Sequence, residues 1–225
     1  MSPDDQDKVV REILDHGFLD GEAKQWRTGM PDPIAVRTIQ KDLASSPGTI
    51  RERLNHELPK RTLVNACGDR YGGAYYALTH NRSASKTVSI LIEFQTPLEM
   101  LCVDGKDFLY TAFQLWDQRG AVSIEKVRTT IAALYGTKIL SYFGEAASHR
   151  DTIARIGICD LACHDLEVIR SHSENGILIK GRHKTRFCSA FQMQLPVPPE
   201  SIIRIECNPT IPPNPVMSVS LDDVR

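Results

Sequence analysis

The chain has 225 residues, of which 41% are hydrophobic and 24% charged, with a formal net charge of −1. These values exclude a collagen-like, mucin-like or wholly disordered chain, and a globally basic nucleic-acid coat. At this length the chain buries roughly 70% of its unfolded surface, so it needs neither a metal nor a disulfide to fold.

The first ~60 residues read as helical. Ser2 can cap a first helix and Pro3 suits its first turn. Val9, Val10, Ile13 and Leu14 form its apolar face, and Gly17 and Gly21 end it. A second helix starts after Asp32, with Pro33 in its first turn and Ile34, Ile39 and Leu43 inward. Thr49 to Leu58 reads as a third, stopped by Pro59. From Arg61 the texture changes. Thr62 to Cys67 reads as a strand, and Thr87 to Gln95 as a buried one ended by Pro97. Leu98 to Val103 is a shorter strand closed by the Asp104-Gly105 turn pair. Ser123 to Phe143 returns to helical spacing, broken at Gly136. In the last third, Ile153–Cys159, Leu166–Arg170, Gly176–Lys180, Phe187–Leu195 and Ser201–Cys207 read as strands. After Cys207, Pro209, Pro212, Pro213 and Pro215 mark an extended, loosely held tail.

These elements predict an α+β fold: N-terminal helices packed on a mostly antiparallel two-sheet core. The divisions expected are a helical extension over 1–60, the α+β domain over 61–208 and a Pro-rich tail over 209–225. The acidic, polar start lacks the basic and apolar regions of a secretory signal. No stretch reaches the ~20 apolar residues of a membrane span, so no membrane partner is expected. Six scattered cysteines in apolar surroundings read as free thiols of a reducing compartment, which predicts a cytoplasmic location.

Four segments draw attention. Arg70 to Arg82 combines paired glycines, which permit close backbone approach, with tyrosines that offer a flat face. Arg70 and Arg82 suit phosphate; the plain alternative is a turn followed by packed aromatics. Lys180 to Arg186 holds four permanent cations and a histidine with no acid. It reads either as a site for phosphate, a dinucleotide or an acidic macromolecule, or as a solvated hairpin turn. Cys159 to Asp165 carries thiols and an imidazole, but its spacing does not form a zinc knuckle, and no metal is expected. In Asp104 to Gln114 the aromatics read as packing residues, with Asp107 a supporting acid at most. No G-x-S-x-G elbow, HExxH or GxGxxG motif is present.

From Arg61 to Glu206 the order of segments resembles the ADP-ribosyltransferase fold of toxin- and effector-like transferases. The resemblance rests on a strand ending near Gly68, then Gly72-Gly73-Ala74-Tyr75-Tyr76-Ala77, then the strand Ser89 to Phe94 and a second ending at Asp104. It closes on Phe187 to Gln194 followed by Val197-Pro198-Pro199-Glu200-Ser201-Ile202-Ile203. The resemblance implies that NAD is bound in a cleft between two sheets and that ADP-ribose passes to a macromolecular acceptor, protein or nucleic acid. It implies Arg61 or Arg70 as the cofactor clamp and Tyr75 or Tyr76 as the stacking residue. Arg182, in the basic turn, would contact the pyrophosphate or the acceptor. Gln192 or Gln194 falls where the family places an acid that touches the ribose. A glutamine accepts the same hydrogen bond without bringing charge, a loss of about 2–4 kcal/mol at an oxocarbenium-like transition state. Glu93 and Glu206 are the fallback acids. Two alternatives follow from that departure: a catalytically inactive nucleotide- or protein-binding module of the same shape, and a nucleic-acid-directed toxin using the basic turn.

Overall fold

A computed structural model describes residues 3–18, 28–42, 49–79, 88–106, 108–116 and 122–225. Of the positions singled out above, Ser2, Gly21, Leu43, His80, Asn81, Arg82, Thr87 and Asp107 lie outside the described residues, as does the side chain of Ile39.

The N-terminal helices form close to their expected places. They are α1 (Pro3–His16), α2 (Pro33–Asp42) and α3 (Ile50–His56). Gly17 ends α1 with φ +76°, a conformation that favours glycine. Strand β1 (Thr28–Pro31) precedes α2, and Val36 of α2 is fully buried. Ile34 points outward instead, 57% exposed.

Then come β2 (Lys60–Cys67), α4 (Arg70–Thr79), β3 (Ile90–Phe94), β4 (Leu101–Val103) and α5 (Leu109–Gln114). The glycine- and tyrosine-rich segment is thus a helix, not a turn. Leu98–Met100, expected in a strand, is a 3-10 turn. Ser123 caps α6 (Ile124–Tyr135) through a bond from the Lys126 amide. Val127, Ile131, Leu134 and Tyr135 form its buried face. Gly136, at φ +81°, ends it, and α7 (Ile139–Ser148) follows.

Two expected strands are helices. Ile153–Cys159 lies in α8 (Thr152–Cys163), and Leu166–Arg170 lies in α9 (Leu166–Ser173). Every residue of α8 from Ala154 to Cys163 is buried, so its apolar residues surround the helix axis and hide the helical period. Asp151 and Asp165 cap the two helices through their carboxylates.

The last strands are β5 (Leu178–Lys180), β6 (Arg186–Phe187), β7 (Ala190–Gln194), β8 (Ile202–Cys207) and β9 (Ser218–Ser220). The fold is therefore mixed α+β with small, mostly antiparallel sheets. Three sheets stand where two were expected among the described residues: β1-β2-β7-β4, β3-β8, and β6-β5-β9. Among the described residues only the β5–β9 pair is parallel. The tail is held more firmly than its prolines imply: β9 joins a sheet, Leu221 is buried and Val224 is fully so. One apolar cluster collects Val36 and Leu54, Ile131 and Phe143, Ile158 and Ile169, Phe191, and Leu221 and Val224. No helix among the described residues is long and apolar enough to cross a membrane.

Candidate functional site

Strands β2 and β7 pair antiparallel, with Leu63 opposite Gln194, Asn65 opposite Gln192 and Cys67 opposite Ala190. Opposed residues share a sheet face, so this register lines up Gln194, Gln192 and Asn65. Arg61 donates from Nη1 to Gln194 Oε1 at 3.1 Å and pairs through Nη2 with Asp32 Oδ2 at 2.8 Å. Gln194 Nε2 completes the circuit to Asp32 Oδ1 at 3.5 Å. Asp32 also accepts from the Ile34 amide at 3.0 Å, so it starts α2 while facing the sheet. Arg61 is half exposed and lies over Asp32 and Gln194, both buried. Sequence reading placed Arg61 and Gln194 but used Asp32 only as a helix start. Its position before Pro33 signalled the cap and concealed the second role.

Gln192 is buried one step inward. Its Nε2 donates to Asn65 Oδ1 at 3.4 Å, and its Oε1 has no partner among the described residues. Cys102, opposite Gln192 on β4, lies with its Sγ 3.8 Å from His164 Nδ1. The pair is not a nucleophile and its base. His164 Nδ1 bonds to the Asp160 carbonyl at 2.7 Å, and burial pushes this imidazole down to about 4. Burial pushes the Cys102 thiol well above its ordinary value, away from the reactive thiolate. It is Cys102, not the adjacent Cys163, that approaches His164. All six cysteines are free. Among the described residues no group of His, Cys, Asp and Glu converges as a metal would need.

The other expected residues gather elsewhere. Asp69 accepts from the amides of Gly72 (2.7 Å), Cys188 (2.8 Å) and Ser189 (3.1 Å), tying the start of α4 to the β6–β7 link. A Cβ on Gly72 would come within 2.8 Å of Phe187 Cβ, and one on Gly73 within 2.9 Å of Leu91 Cδ1. The paired glycines thus serve helix packing. Tyr75 donates to the Lys184 carbonyl at 3.0 Å, and Arg186 lies over its ring at 5.8 Å. Lys184 takes φ +64° in this tight turn. Arg182 donates to Thr111 Oγ1 at 3.1 Å. Lys180, Arg182, Lys184 and Arg186 form no ion pair with a described carboxylate, so the basic turn is a local positive field beside an aromatic ring. Arg70 is differently occupied: it pairs with Glu206 at 2.5 Å and holds that carboxyl below its ordinary value. Tyr76 packs against the apolar core.

The structure thus joins Arg61 to Gln194 at one end of β2, and joins Tyr75 to the basic turn beyond the other. Four residues of register separate the Gln194 and Ala190 pairs, about 13 Å at strand rise. Two shallow hollows among the described residues do not hold these residues: one of ≈350 Å³ is lined by Arg37, Gln40, Tyr142, Asp165 and Leu166, the other, of ≈310 Å³, by α1 and the Gly17-Phe18 turn.

No family model, curated protein or solved structure matches the chain.

Proposed function

We propose that the chain transfers ADP-ribose from NAD to a macromolecular acceptor, a protein or a nucleic acid. The observation that supports this reading is the 3.1 Å bond between Arg61 and Gln194. These two residues, 133 positions apart, are among those that the resemblance nominates: Arg61 or Arg70 as cofactor clamp, and Gln192 or Gln194 as ribose contact. Asp32 adds the carboxylate that Gln194 lacks. In this reading the pyrophosphate of NAD draws the half-exposed Arg61 away from Asp32. The uncovered Asp32 and Gln194 then accept from the ribose hydroxyls. The bond from ribose C1′ to nicotinamide breaks with its electron pair leaving on nicotinamide. The acceptor nucleophile adds to C1′ and releases its proton. A carboxylate beside the ribose stabilises the positive charge that develops there. Six free thiols suit a reducing, cytoplasmic compartment.

A second reading is a binding module without turnover, favoured by the cationic turn with Tyr75 at its side and by the distance between that group and Gln194. One experiment separates the two. The full chain is incubated with NAD and nicotinamide release is followed, while calorimetry measures NAD binding at low and high salt. Under the first reading nicotinamide appears. Asp32→Asn then slows its release by about 10²–10³ while leaving binding within a few-fold. Asparagine remains a good helix cap, so the variant folds. Binding without release, weakening steeply with salt, selects the second reading. Neither binding nor release sinks both.

A further inference from the structure

The Pro-rich segment 209–217 is not absorbed by that site. Every residue from Ile211 to Pro215 is a proline or precedes one. Proline fixes its own φ and pushes the preceding residue toward extended conformations, so this stretch is confined to polyproline II or its close neighbours. The exposure pattern agrees. Pro209 is buried, and Pro212 and Pro215 are half-buried. Thr210, Pro213 and Val216 are all exposed, as are Ile211, Asn214 and Met217. A repeat of three is the period of a polyproline II helix. One edge leans on the protein and two face outward.

Both ends are fastened. The Asn208 amide donates to the Ser89 carbonyl at 2.7 Å, and the Leu178 amide donates to the Met217 carbonyl at 2.9 Å. Strand β9 then pairs with β5. Between these anchors, residues 209–216 make no hydrogen bond to another described residue. Their outer edges carry Ile211 (41% exposed), Val216 (103%) and Met217 (63%). A single exposed apolar side chain is ordinary; here three stand on one stiff ridge, with no charged residue from Asn208 to Met217.

We infer that this anchored ridge docks into an aromatic-lined, polyproline-reading groove on a partner protein. The other common modes do not fit its chemistry. Strand addition needs a row of amides, and Pro209, Pro212, Pro213 and Pro215 have none. The prolines equally forbid a helix. A polyproline II segment fits such a groove because its shape is preformed and little conformational freedom is lost on docking. Anchoring at both ends lowers that loss further. The uncharged ridge also predicts binding that salt does not weaken, unlike anything bound by the Lys180–Arg186 turn.

The test titrates the full chain into purified SH3, WW and EVH1 domains, read by groove tryptophan fluorescence and calorimetry at low and high salt. Pro213→Gly and Val216→Asp alter only exposed side chains, and circular dichroism and thermal melting check that both variants fold. The expected result is saturable, salt-insensitive binding by at least one domain type. Each variant weakens it by roughly tenfold or more, the size of a truncated interface anchor. Absence of binding by all three types overturns the inference, and so does binding that both variants retain. Self-association of the chain that Val216→Asp abolishes, with no domain bound, overturns it in favour of a second copy as occupant.

Discussion

His172 shows how a titratable side chain is committed to architecture. It is fully buried, its Nδ1 donates to the Leu134 carbonyl at 3.0 Å, and its Nε2 accepts from the Ala190 amide at 3.1 Å. These partners fix the tautomer. The ring stacks on Tyr135 at 4.5 Å and meets Phe191 edge-on at 5.4 Å. One imidazole therefore joins α6, α9 and β7. His172→Leu keeps much of the volume but strands a buried amide and a buried carbonyl. It should lower stability by about 2–4 kcal/mol in urea unfolding, the cost of unpaired polar groups in a core. A loss below about 1 kcal/mol would mean that water reaches the two groups and that the bracing role is wrong. Asp32 makes the opposite case. It is as buried as a core residue, yet its ion-pair partner Arg61 is half exposed.

At the scale of elements, the sequence made the strands legible where Gly and Pro punctuate them, and the helices legible where one face is polar. It thus read β2, β3, β7 and β8 close to their observed places, and α1, α2, α3, α6 and α7 as helices. It failed for α8, for α4, and for α9, although Glu167, Arg170 and Ser173 give that eight-residue helix a polar face. Burial all round α8 from Ala154 onward removes its period, and branched residues such as Ile156 and Ile158 then read as strand. Asp151 and Asp165, both good caps, were the overlooked signals. The site was legible to the same degree. Arg61 and Gln194 stood among the candidates, beside Arg70 and Gln192, through the resemblance alone, whereas the partnership with Asp32 depends on α2 docking that no local pattern encodes. The Asp69 brace was equally invisible, because its partners Cys188 and Ser189 lie about 120 positions away. Asp69→Ala should strip three amides of their acceptor, lower stability by about 2–4 kcal/mol and loosen α4 from the basic turn. Hydrogen exchange checks this directly: the Gly72, Cys188 and Ser189 amides should lose protection ahead of the β2–β7 ladder. Equal loss everywhere would show that Asp69 has no local role.

Over the whole molecule, three buried titratable groups set how stability responds to acid. His164 and His172 are pushed down to about 4 from an ordinary 6.5 by burial. The folded chain therefore binds fewer protons than the unfolded one, and their contribution, complete above pH 6.5, is lost as pH falls toward 4. Full loss amounts to about 3 kcal/mol for each. Asp160 works against them. Burial pushes it up to about 6 from 3.8, although Arg51 at 3.3 Å and the Tyr110 hydroxyl favour its charged form. The folded chain binds this proton more readily, so Asp160 weakens the fold above pH 6 and the penalty disappears as pH falls to 3.8. That relief is worth about 3 kcal/mol, so the three groups together give a net loss of about 3 kcal/mol between pH 6.5 and 4. Asp160→Asn removes the relief and keeps an acceptor for Tyr110. Relative to the natural chain, the variant should therefore lose about 3 kcal/mol between pH 6.5 and 4, seen as a steeper fall of the urea midpoint. Parallel curves for the two chains would show that Asp160 titrates at its ordinary value.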